Sequence, residues 1–467
     1  MRRAKIVGTI GPASESPAIL GKLIAAGLDV ARLNFSHGSH EQHARTIAAI
    51  RSAAASAGRP IAILQDLQGP RIRIGNIAEP VSVESGQTLT LTTDSQAGGG
   101  AIPVTYGSLP ADVKPSDRIL IDDGLIELAV EEAGKQAIRC RVVTGGTIRP
   151  HKGMNLPGVA VSAPAFDEKD RADLSFGLSH GVDYVGLSFV RGPEDVMAAR
   201  AWMKKYDAAA AIIAKIERPE AVERLDAIVA VADGVMIARG DLAVETSPEA
   251  VPLIQKRIIR SCNQSRTLVI TATQMLESMT ASLRPTRAEA SDVANAVLDG
   301  TDAVMLSGET ASGRYPVEAV ETMARIVAAA EQGLEQAPIP AQAPSPAPFP
   351  AAVCAAGARA ARETGAKVVV AFTESGATAR LLSKERPPVP IVAYTPHDAV
   401  RRLMALYWGV LPRAMRTIPN TDELIRELER SLREEKLAGS GDRIVIILGA
   451  PAGTRGGTNL MKLHTIT

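Results

Sequence analysis

The sequence has 467 residues, 46% of them hydrophobic, and carries 52 basic and 51 acidic residues for a formal net charge of +1. This length exceeds one ordinary domain and predicts about three. The balanced charge gives no overall attraction to nucleic acid or to a membrane surface, and the 3% aromatic content argues against base stacking. We therefore do not expect either binding function.

The N-terminus has no apolar segment of the kind found in signal peptides, and no run approaches the ~18 apolar residues of a membrane span. The three cysteines, Cys140, Cys262 and Cys354, have no metal-ligand spacing. Their odd number suits a reducing compartment, so we expect a soluble, cytoplasmic protein.

Short, continuously apolar runs alternate with helical patterns along much of the chain, which is typical of parallel strands covered on both faces. Eight strand–helix units of this kind predict a closed (β/α)8 TIM barrel, an α/β fold. The predicted strands are Lys5–Ile10, Asp29–Phe35, Ile61–Asp66, Asp183–Phe189, Ala211–Ile216, Gly234–Ala238, Leu268–Ala272 and Ala303–Leu306.

Residues 71–155 interrupt this pattern after the third strand. They are rich in Val, Thr, Gly and Asp, with turn signals at residues 84–86, 122–124 and 144–146. We interpret them as an inserted all-β lid domain. The flanking segments, 1–70 and 156–335, then form a barrel of roughly the 250 residues that this fold usually needs.

The segment 336–350 is a Pro/Ala linker without core-forming residues. Beyond it, residues 351–467 return to strand–helix signals, with strands predicted at Lys367–Phe372, Ile391–Tyr394 and Arg443–Gly449. This pattern predicts a C-terminal α/β domain with an open sheet.

Polar residues cluster at the C-terminal ends of the barrel strands, where such barrels carry their catalytic groups. One charged strand-end residue commonly caps a helix, but six polar strand ends around one mouth favour a catalytic site. The strand-end residues are Arg32, Asn34, Ser36 and His37; Asp66; Lys215 and Glu217; Arg239, Gly240 and Asp241; Thr271, Thr273 and Gln274; and Ser307, Glu309 and Thr310.

Glu217 and Asp241 form the best pair of metal ligands. Two carboxylates leave most positions of an octahedral Mg²⁺ ion to water and substrate oxygens; a helix-capping pair is the alternative. Lys215 lies on the same face of its strand as Glu217, where it can neutralise a phosphoryl group or simply pair with Glu217. Arg32 can grip phosphate oxygens, and the backbone at Gly240 can approach an anion.

Eight segments together resemble the pyruvate kinase family, in order and along the whole chain. They are KIVGTIGPAS (5–14), ARLNFSHG (31–38), DLQGPRIR (66–73), KGMNLPG (152–158), KIER (215–218), IARGDLAVE (237–245), ATQMLESM (272–279) and DAVMLSGET (302–310). The resemblance implies phosphoryl transfer from phosphoenolpyruvate to ADP, giving pyruvate and ATP.

The resemblance also implies roles for the matching residues. Glu217 and Asp241 would hold Mg²⁺, with Mn²⁺ as an alternative. Gly240, Asp241 and Thr273 would bind the substrate carboxylate, and Lys215 and Arg32 the transferring phosphoryl group.

On the nucleotide side, the resemblance assigns Asn34, His37 and Arg73 to ADP, with Lys152 and Asp123 arriving from the inserted domain as it closes. Thr273, with a water relay involving Ser307, is the proposed proton donor to the enolate, although a threonine hydroxyl is a weak acid. For His37, orienting its loop is an open alternative.

One segment departs from the potassium-dependent members of the family. Asn34, Ser36, Asp66 and Leu67 match the positions of a monovalent cation site, but Leu67-Gln68 replaces Thr-Lys and Arg71 replaces a glutamate. A guanidinium near this site supplies positive charge internally. We therefore expect activity without K⁺; the alternative is that Arg71 turns outward and the ion still binds.

Thr373, Ser375, Gly376 and Thr378 match the family's effector phosphate loop, which the loop at residues 453–457 would complete. Ala377 stands where many members carry a basic residue, which favours a sugar monophosphate or a nucleotide over a bisphosphate. A purely structural turn is the alternative. The family resemblance implies a homotetramer.

Two other functions are open to such a chain: another Mg²⁺–enolate barrel enzyme, or a non-catalytic sugar-phosphate sensor. The first has no need of Lys215 or of the phosphate-binding arginines. The second should have lost at least one of Lys215, Glu217, Asp241 and Thr273, and all four are present.

Overall fold

The computed structural model describes residues 2–94, 100–206, 209–333, 347–450 and 457–467. Residues 336–346 of the predicted linker and 453–456 of the predicted effector loop lie outside these ranges. No helix among the described residues is long and apolar enough to cross a membrane.

The chain begins with three strands and two helices of a barrel. In chain order these are β1 (Lys5–Thr9), α1 (Pro17–Ala26), β2 (Val30–Asn34), α2 (His40–Ser56) and β3 (Ala62–Asp66). Helix α2 begins where Ser39 and Gln42 form a reciprocal capping box, which satisfies backbone donors of its first turn.

The chain then leaves the barrel and forms two small sheets. The elements are β4 (Val81–Val83), β5 (Thr88–Thr92), β6 (Ile102–Pro103), α3 (Leu109–Asp112), β7 (Arg118–Ile121), β8 (Ile126–Ala133), β9 (Ala137–Thr144), β10 (Gly146–Ile148) and β11 (Met154–Asn155). One sheet has the order β11-β7-β8-β9-β5-β6, and β10 pairs with β4. Their separate hydrophobic core also includes Val159 and Val161 on the return to the barrel.

The return brings five more barrel strands with their helices. These are α4 (Glu168–Ser179), β12 (Tyr184–Leu187), α5 (Pro193–Met203), β13 (Ala211–Ile216), α6 (Pro219–Glu223), α7 (Leu225–Val231), β14 (Gly234–Ala238), α8 (Arg239–Glu245), α9 (Val251–Gln264), β15 (Leu268–Ala272), a 3-10 turn (Glu277–Thr280), α10 (Arg287–Leu298), β16 (Ala303–Leu306), α11 (Gly308–Ala311) and α12 (Pro316–Gly333).

Eight parallel strands close the barrel in the order β1-β16-β15-β14-β13-β12-β3-β2. Each corresponds to a predicted strand, so the predicted TIM barrel is confirmed. Apolar side chains such as Val7, Leu64, Ile213, Met236 and Ile270 are buried in one hydrophobic cluster. The candidate site residues lie instead at the C-terminal ends of the strands.

The C-terminal α/β domain contains α13 (Phe349–Thr364), β17 (Val368–Phe372), α14 (Ala377–Lys384), β18 (Ile391–Thr395), α15 (Asp398–Leu403), a 3-10 turn (Met404–Leu406), β19 (Val410–Ala414), α16 (Thr421–Glu434), β20 (Arg443–Gly449) and β21 (Thr458–Thr465). Its open sheet has the order β19-β18-β17-β20-β21, with β21 antiparallel to β20. The open sheet confirms the predicted fold class. The domain boundaries drawn from the sequence stay predictions.

This domain contacts the N-terminal end of the barrel, opposite the polar strand ends. The Tyr184 hydroxyl, at the start of β12, donates to the Leu403 carbonyl oxygen at 2.5 Å. Asp302, just before β16, accepts from Lys384 Nζ at 2.5 Å and from Arg386 at 2.7 Å. The side chains of Lys384 and Asp302 are 1% and 0% exposed, so this ion pair is fully buried at the joint.

We predict that Asp302→Asn destabilises the protein by ~3–5 kcal/mol, because it leaves the buried Lys384 ammonium without its counter-charge. Urea unfolding followed by tryptophan fluorescence measures this effect, since buried Trp408 packs against Arg386 at the same joint. The control is Glu363→Gln, which removes the exposed ion pair with Arg359 and should cost under ~1 kcal/mol. Equal unfolding midpoints for the two variants would contradict the prediction.

Candidate active site

A cleft lies between the C-terminal end of the barrel and the inserted domain. Barrel residues Arg218, Asp241 and Glu245 line it together with Asp123 and Asn155 of the inserted domain. The barrel strands therefore deliver their polar ends to a cavity that the inserted domain covers.

Asp66, at the end of β3, joins two of the predicted phosphate-binding residues. Its Oδ2 accepts from Arg32 Nε at 2.7 Å, and its Oδ1 is paired with Lys215 Nζ at 3.2 Å. Burial alone would raise the pKa of Asp66, but the charges of Lys215 and Arg32 outweigh burial and hold it below its ordinary value. Asp66 is therefore an anion that orients two cations at the mouth.

Lys215 also contacts Ser188 and Glu217. Its ammonium donates to Ser188 Oγ at 2.7 Å and lies 2.9 Å from Glu217 Oε1. Burial acts to lower the pKa of Lys215, but Asp66 and Glu217 raise it overall, so the group is charged. Glu217 Oε2 accepts from the Phe189 backbone N–H at 2.6 Å, which fixes its orientation.

Asp241, in the first turn of α8, lies close enough to Glu217 for the two charges to interact. Burial and the Glu217 charge raise the pKa of Asp241 to about 6. No hydrogen bond or ion pair engages its carboxylate within the described ranges. Two crowded carboxylates with spare lone pairs fit a hard divalent cation.

The described residues contain no cluster of three or more His, Cys, Asp and Glu side chains suited to a metal. A cation bound by the two carboxylates of Glu217 and Asp241 alone would keep positions for water and substrate oxygens, the arrangement that Mg²⁺ favours.

Thr273 follows β15 with a backbone φ of +69°, a sparsely populated region for a β-branched residue. Its Oγ1 accepts from the Gly240 N–H at 2.9 Å and donates to the Ala272 carbonyl at 2.7 Å. The Arg239 guanidinium donates to the carbonyl oxygens of Ala272 and Thr273 at 3.2 and 2.7 Å. It thereby holds the strained turn against α8.

Three arginines converge on the loop that follows β2. Burial, and then the charges of Arg71, Arg73 and Arg32, lower the pKa of His37, so its imidazole favours the neutral form. Asn34 Oδ1 accepts from the Ser36 N–H at 3.1 Å. The loop is therefore compact and faces a strongly positive region, as expected of a nucleotide-phosphate site.

The inserted domain carries the predicted nucleotide-binding residues Arg73 and Lys152, of which Arg73 lies close enough to His37 to lower its pKa. Arg73 donates to the His151 carbonyl at 3.0 Å, and Lys152 Nζ pairs with Asp122 at 2.8 Å. Both basic groups are therefore held within the inserted domain, and Asp123 rather than Asp122 lines the cleft.

Strand pairing places two members of the predicted monovalent cation set side by side. Asn34 and Asp66 are register partners, and the Leu67 carbonyl accepts from Ser188 Oγ at 2.7 Å. Arg71 is exposed and lines the cleft, and its guanidinium has no hydrogen bond or ion pair in the described part of the chain. The Arg71 charge contributes to the lowered pKa of His37 and partly offsets the raised pKa of Asp241.

The predicted effector loop borders a cavity of about 270 Å³ in the C-terminal domain. Thr373 Oγ1 accepts from the Gly376 N–H at 2.9 Å, and the hydroxyls of Thr378 and Thr458 are 2.7 Å apart. Thr373, Ser375 and Thr378 line this cavity with Arg416.

Sequence reasoning missed Ser188 and gave Arg239 no role. Ser188 bridges Lys215 and the Leu67 carbonyl, but a serine after an apolar strand carries no distinctive signal. The sequence shows Arg239 as a cation at a strand end. It does not show that its partners are the carbonyl oxygens of the 272–274 turn.

The chain is similar to known proteins over its whole length. Residues 1–320 match the family model described as pyruvate kinase, barrel domain, and residues 351–464 match pyruvate kinase, alpha/beta domain. A pyruvate kinase from Geobacillus stearothermophilus is 48% identical over 100% of this chain and 81% of its own. One from Mycobacterium tuberculosis (strain CDC 1551 / Oshkosh) is 44% identical, over 100% of this chain and 98% of its own.

Among solved structures, a pyruvate kinase from Cryptosporidium parvum superimposes with a TM-score of 0.92 at 39% identity, covering 100% of this chain and 96% of that one. With matching models for both regions and close relatives along the full length, the chain belongs to the pyruvate kinase family.

Proposed function

We propose that this protein transfers the phosphoryl group of phosphoenolpyruvate to ADP, giving pyruvate and ATP. The observation that supports this most is the buried cluster in which Asp66 holds Arg32 and Lys215 beside Glu217 and Asp241. Cations and carboxylates alternate within one cleft. Phosphoryl transfer needs both, since it depends on positioning and on neutralising charge on the moving group.

Arg32 and Lys215 are proposed to bind the phosphoryl oxygens. The Arg32 guanidinium keeps a fixed direction because Asp66 and Thr9 Oγ1 accept from it at 2.7 and 2.9 Å. Lys215 stays protonated in its buried position, so it meets the phosphoryl group as a full charge. A preoriented pair of cations stabilises the transferring group without reorganisation at the moment of reaction.

Glu217 and Asp241 are proposed to hold Mg²⁺, or Mn²⁺ in its place. A divalent cation there would supply Lewis acidity toward substrate oxygens. Gly240 and Thr273 are proposed to bind the substrate carboxylate beside this pair.

Proton delivery to the methylene carbon is proposed to involve Thr273 and Ser307 through water. Ser307 Oγ is buried and has no hydrogen-bond partner among the described residues, so it has a donor to spare. The Thr273 proton is directed at the Ala272 carbonyl and would have to be redirected when substrate binds.

The nucleotide is proposed to bind between the Asn34–His37 loop and the inserted domain. Arg73 and Lys152 there supply charge for its phosphates, and closure of the inserted domain would exclude water from the reacting groups.

We also propose an effector site in the C-terminal domain and assembly into a homotetramer. The 270 Å³ cavity would take a sugar monophosphate or a nucleotide, with its phosphate on Thr373, Ser375, Gly376 and Thr378. Homotetramer formation is supported by apolar side chains on the edge strand β21, where Leu463 is 54% exposed. We place the enzyme in the cytoplasm, as predicted from its sequence.

We predict that the wild-type protein forms pyruvate from phosphoenolpyruvate and ADP with Mg²⁺, and that Lys215→Met lowers kcat about 10³-fold by removing the charge opposite the phosphoryl group. A coupled lactate dehydrogenase assay measures both. Lys22→Met, at an exposed position of α1, is the control and should keep wild-type activity. A wild-type protein without phosphoryl transfer would contradict the proposed function, and an active Lys215→Met variant would contradict the role of Lys215.

We also predict full activity in potassium-free buffer, because Arg71 supplies positive charge at the cleft. Arg71→Glu should then lower activity at least tenfold without KCl and recover it when KCl is added. Arg149→Glu makes the same charge change at an exposed position of the inserted domain and should leave potassium dependence unaltered. A wild-type enzyme that works only with KCl would show that Arg71 does not replace the ion.

A further inference from the structure

The return segment, residues 154–163, leads from the inserted domain back to the barrel and is held by barrel side chains at three points. Arg191 donates to the carbonyl oxygens of Val161 and Ala163, the latter at 2.9 Å. Arg218 donates to the Val159 carbonyl at 3.1 Å. Asn155, in β11, donates to Glu245 Oε1 at 2.9 Å.

Each of these anchors is linked to a proposed ligand of the metal or substrate, either along the chain or through one hydrogen bond. Arg218 follows Glu217 directly. Arg191 lies two residues after Phe189, whose N–H fixes Glu217 Oε2. Glu245 ends α8, the helix whose first turn carries Gly240 and Asp241.

Among the anchors, Glu245 is unusual because it is a buried carboxylate that is only partly hydrogen-bonded. Its side chain is 2% exposed, and Oε2 has no hydrogen bond among the described residues, with Arg218 Nη2 3.8 Å away. Burial raises the pKa of Glu245, against the opposing effects of Arg218 and Asn155. This buried carboxylate has one hydrogen bond, from an amide of the inserted domain, and one longer ion pair with Arg218, so a shift of the inserted domain changes its environment directly.

A short helix, α8, connects Glu245, the partner of Asn155, to the proposed substrate-binding residues. Glu245 lies four positions after Asp241, which at 1.5 Å per residue is about 6 Å along a single helix. Glu245 therefore shares one short helix with Gly240, whose N–H donates to Thr273 Oγ1 at 2.9 Å.

We propose that Glu245 is a positioning residue that ties the inserted domain to α8, so that the orientation of this domain sets the position of Gly240 and Asp241. This inference rests on the proposed function for its kinetic consequence only. Loss of the Asn155 contact would free α8 to move and would weaken phosphoenolpyruvate binding more than ADP binding, because Gly240 and Asp241 are proposed to bind phosphoenolpyruvate.

The test compares Asn155→Ala, Glu245→Gln and Asn76→Ala. Asn155→Ala removes the contact from the inserted domain without altering the barrel. Glu245→Gln keeps an oxygen that accepts from Asn155 but removes the charge opposite Arg218. Asn76→Ala is the matched control, since Asn76 is an exposed asparagine of the inserted domain.

We expect Asn155→Ala to raise KM for phosphoenolpyruvate about tenfold, the value of one hydrogen bond to a charged group, with a smaller rise in KM for ADP. Glu245→Gln should raise it less, because the Asn155 contact survives. Hydrogen–deuterium exchange of the α8 amides should rise in Asn155→Ala and stay at the wild-type level in Asn76→Ala.

Unchanged α8 exchange in Asn155→Ala, or equal rises in both Michaelis constants, would overturn the inference. If the wild type forms no pyruvate, the proposed function fails, but the exchange measurement still decides whether Asn155 and Glu245 couple the inserted domain to α8.

Discussion

The active-site cleft is organised around one buried carboxylate. Asp66, 1% exposed, must be paired because an isolated charge at this depth would be strongly destabilising. Its partners are Arg32 from the neighbouring strand β2 and Lys215 from β13, on the far side of β12. Satisfying Asp66 thus requires two cations at the barrel mouth. Lys215 in turn holds Glu217 and Ser188, so one electrostatic requirement connects β2, β3, β12 and β13.

The two ends of the barrel have different roles. At the N-terminal end, Asp302 and Asp183 accept from Lys384, Arg386 and Arg402 of the C-terminal domain, which fastens the two regions together. At the C-terminal end, the inserted domain is held through Asn155 and the backbone carbonyls of its return segment. The buried joint and the inserted domain therefore act on opposite ends of the same strands, as barrel enzymes commonly separate stability from chemistry.

The barrel strands were predictable because continuous apolar runs leave few alternatives, and the strand ends were predictable because charged residues there break those runs. β19 and β21 were not predicted. β19 contains Pro412 and Arg413, and β21 is largely exposed, so neither has a buried-strand pattern. Ser188 and the partners of Glu245 were equally inaccessible, since their contacts join segments tens of residues apart. Sequence patterns report burial along the chain, but which buried polar groups meet depends on the closed barrel.

Whether Asp66 organises the site is tested most directly by combining Asp66→Asn with Lys215→Met and measuring kcat/KM for phosphoenolpyruvate in saturating KCl. If Asp66 acts by holding Lys215 and Arg32, Asp66→Asn alone should cost at least tenfold. The double variant should then lose clearly less than the product of the two single losses, because residues acting as a unit are not additive. Losses that multiply in the double variant, or an Asp66→Asn enzyme with wild-type kinetics, would show that this carboxylate does not organise the site.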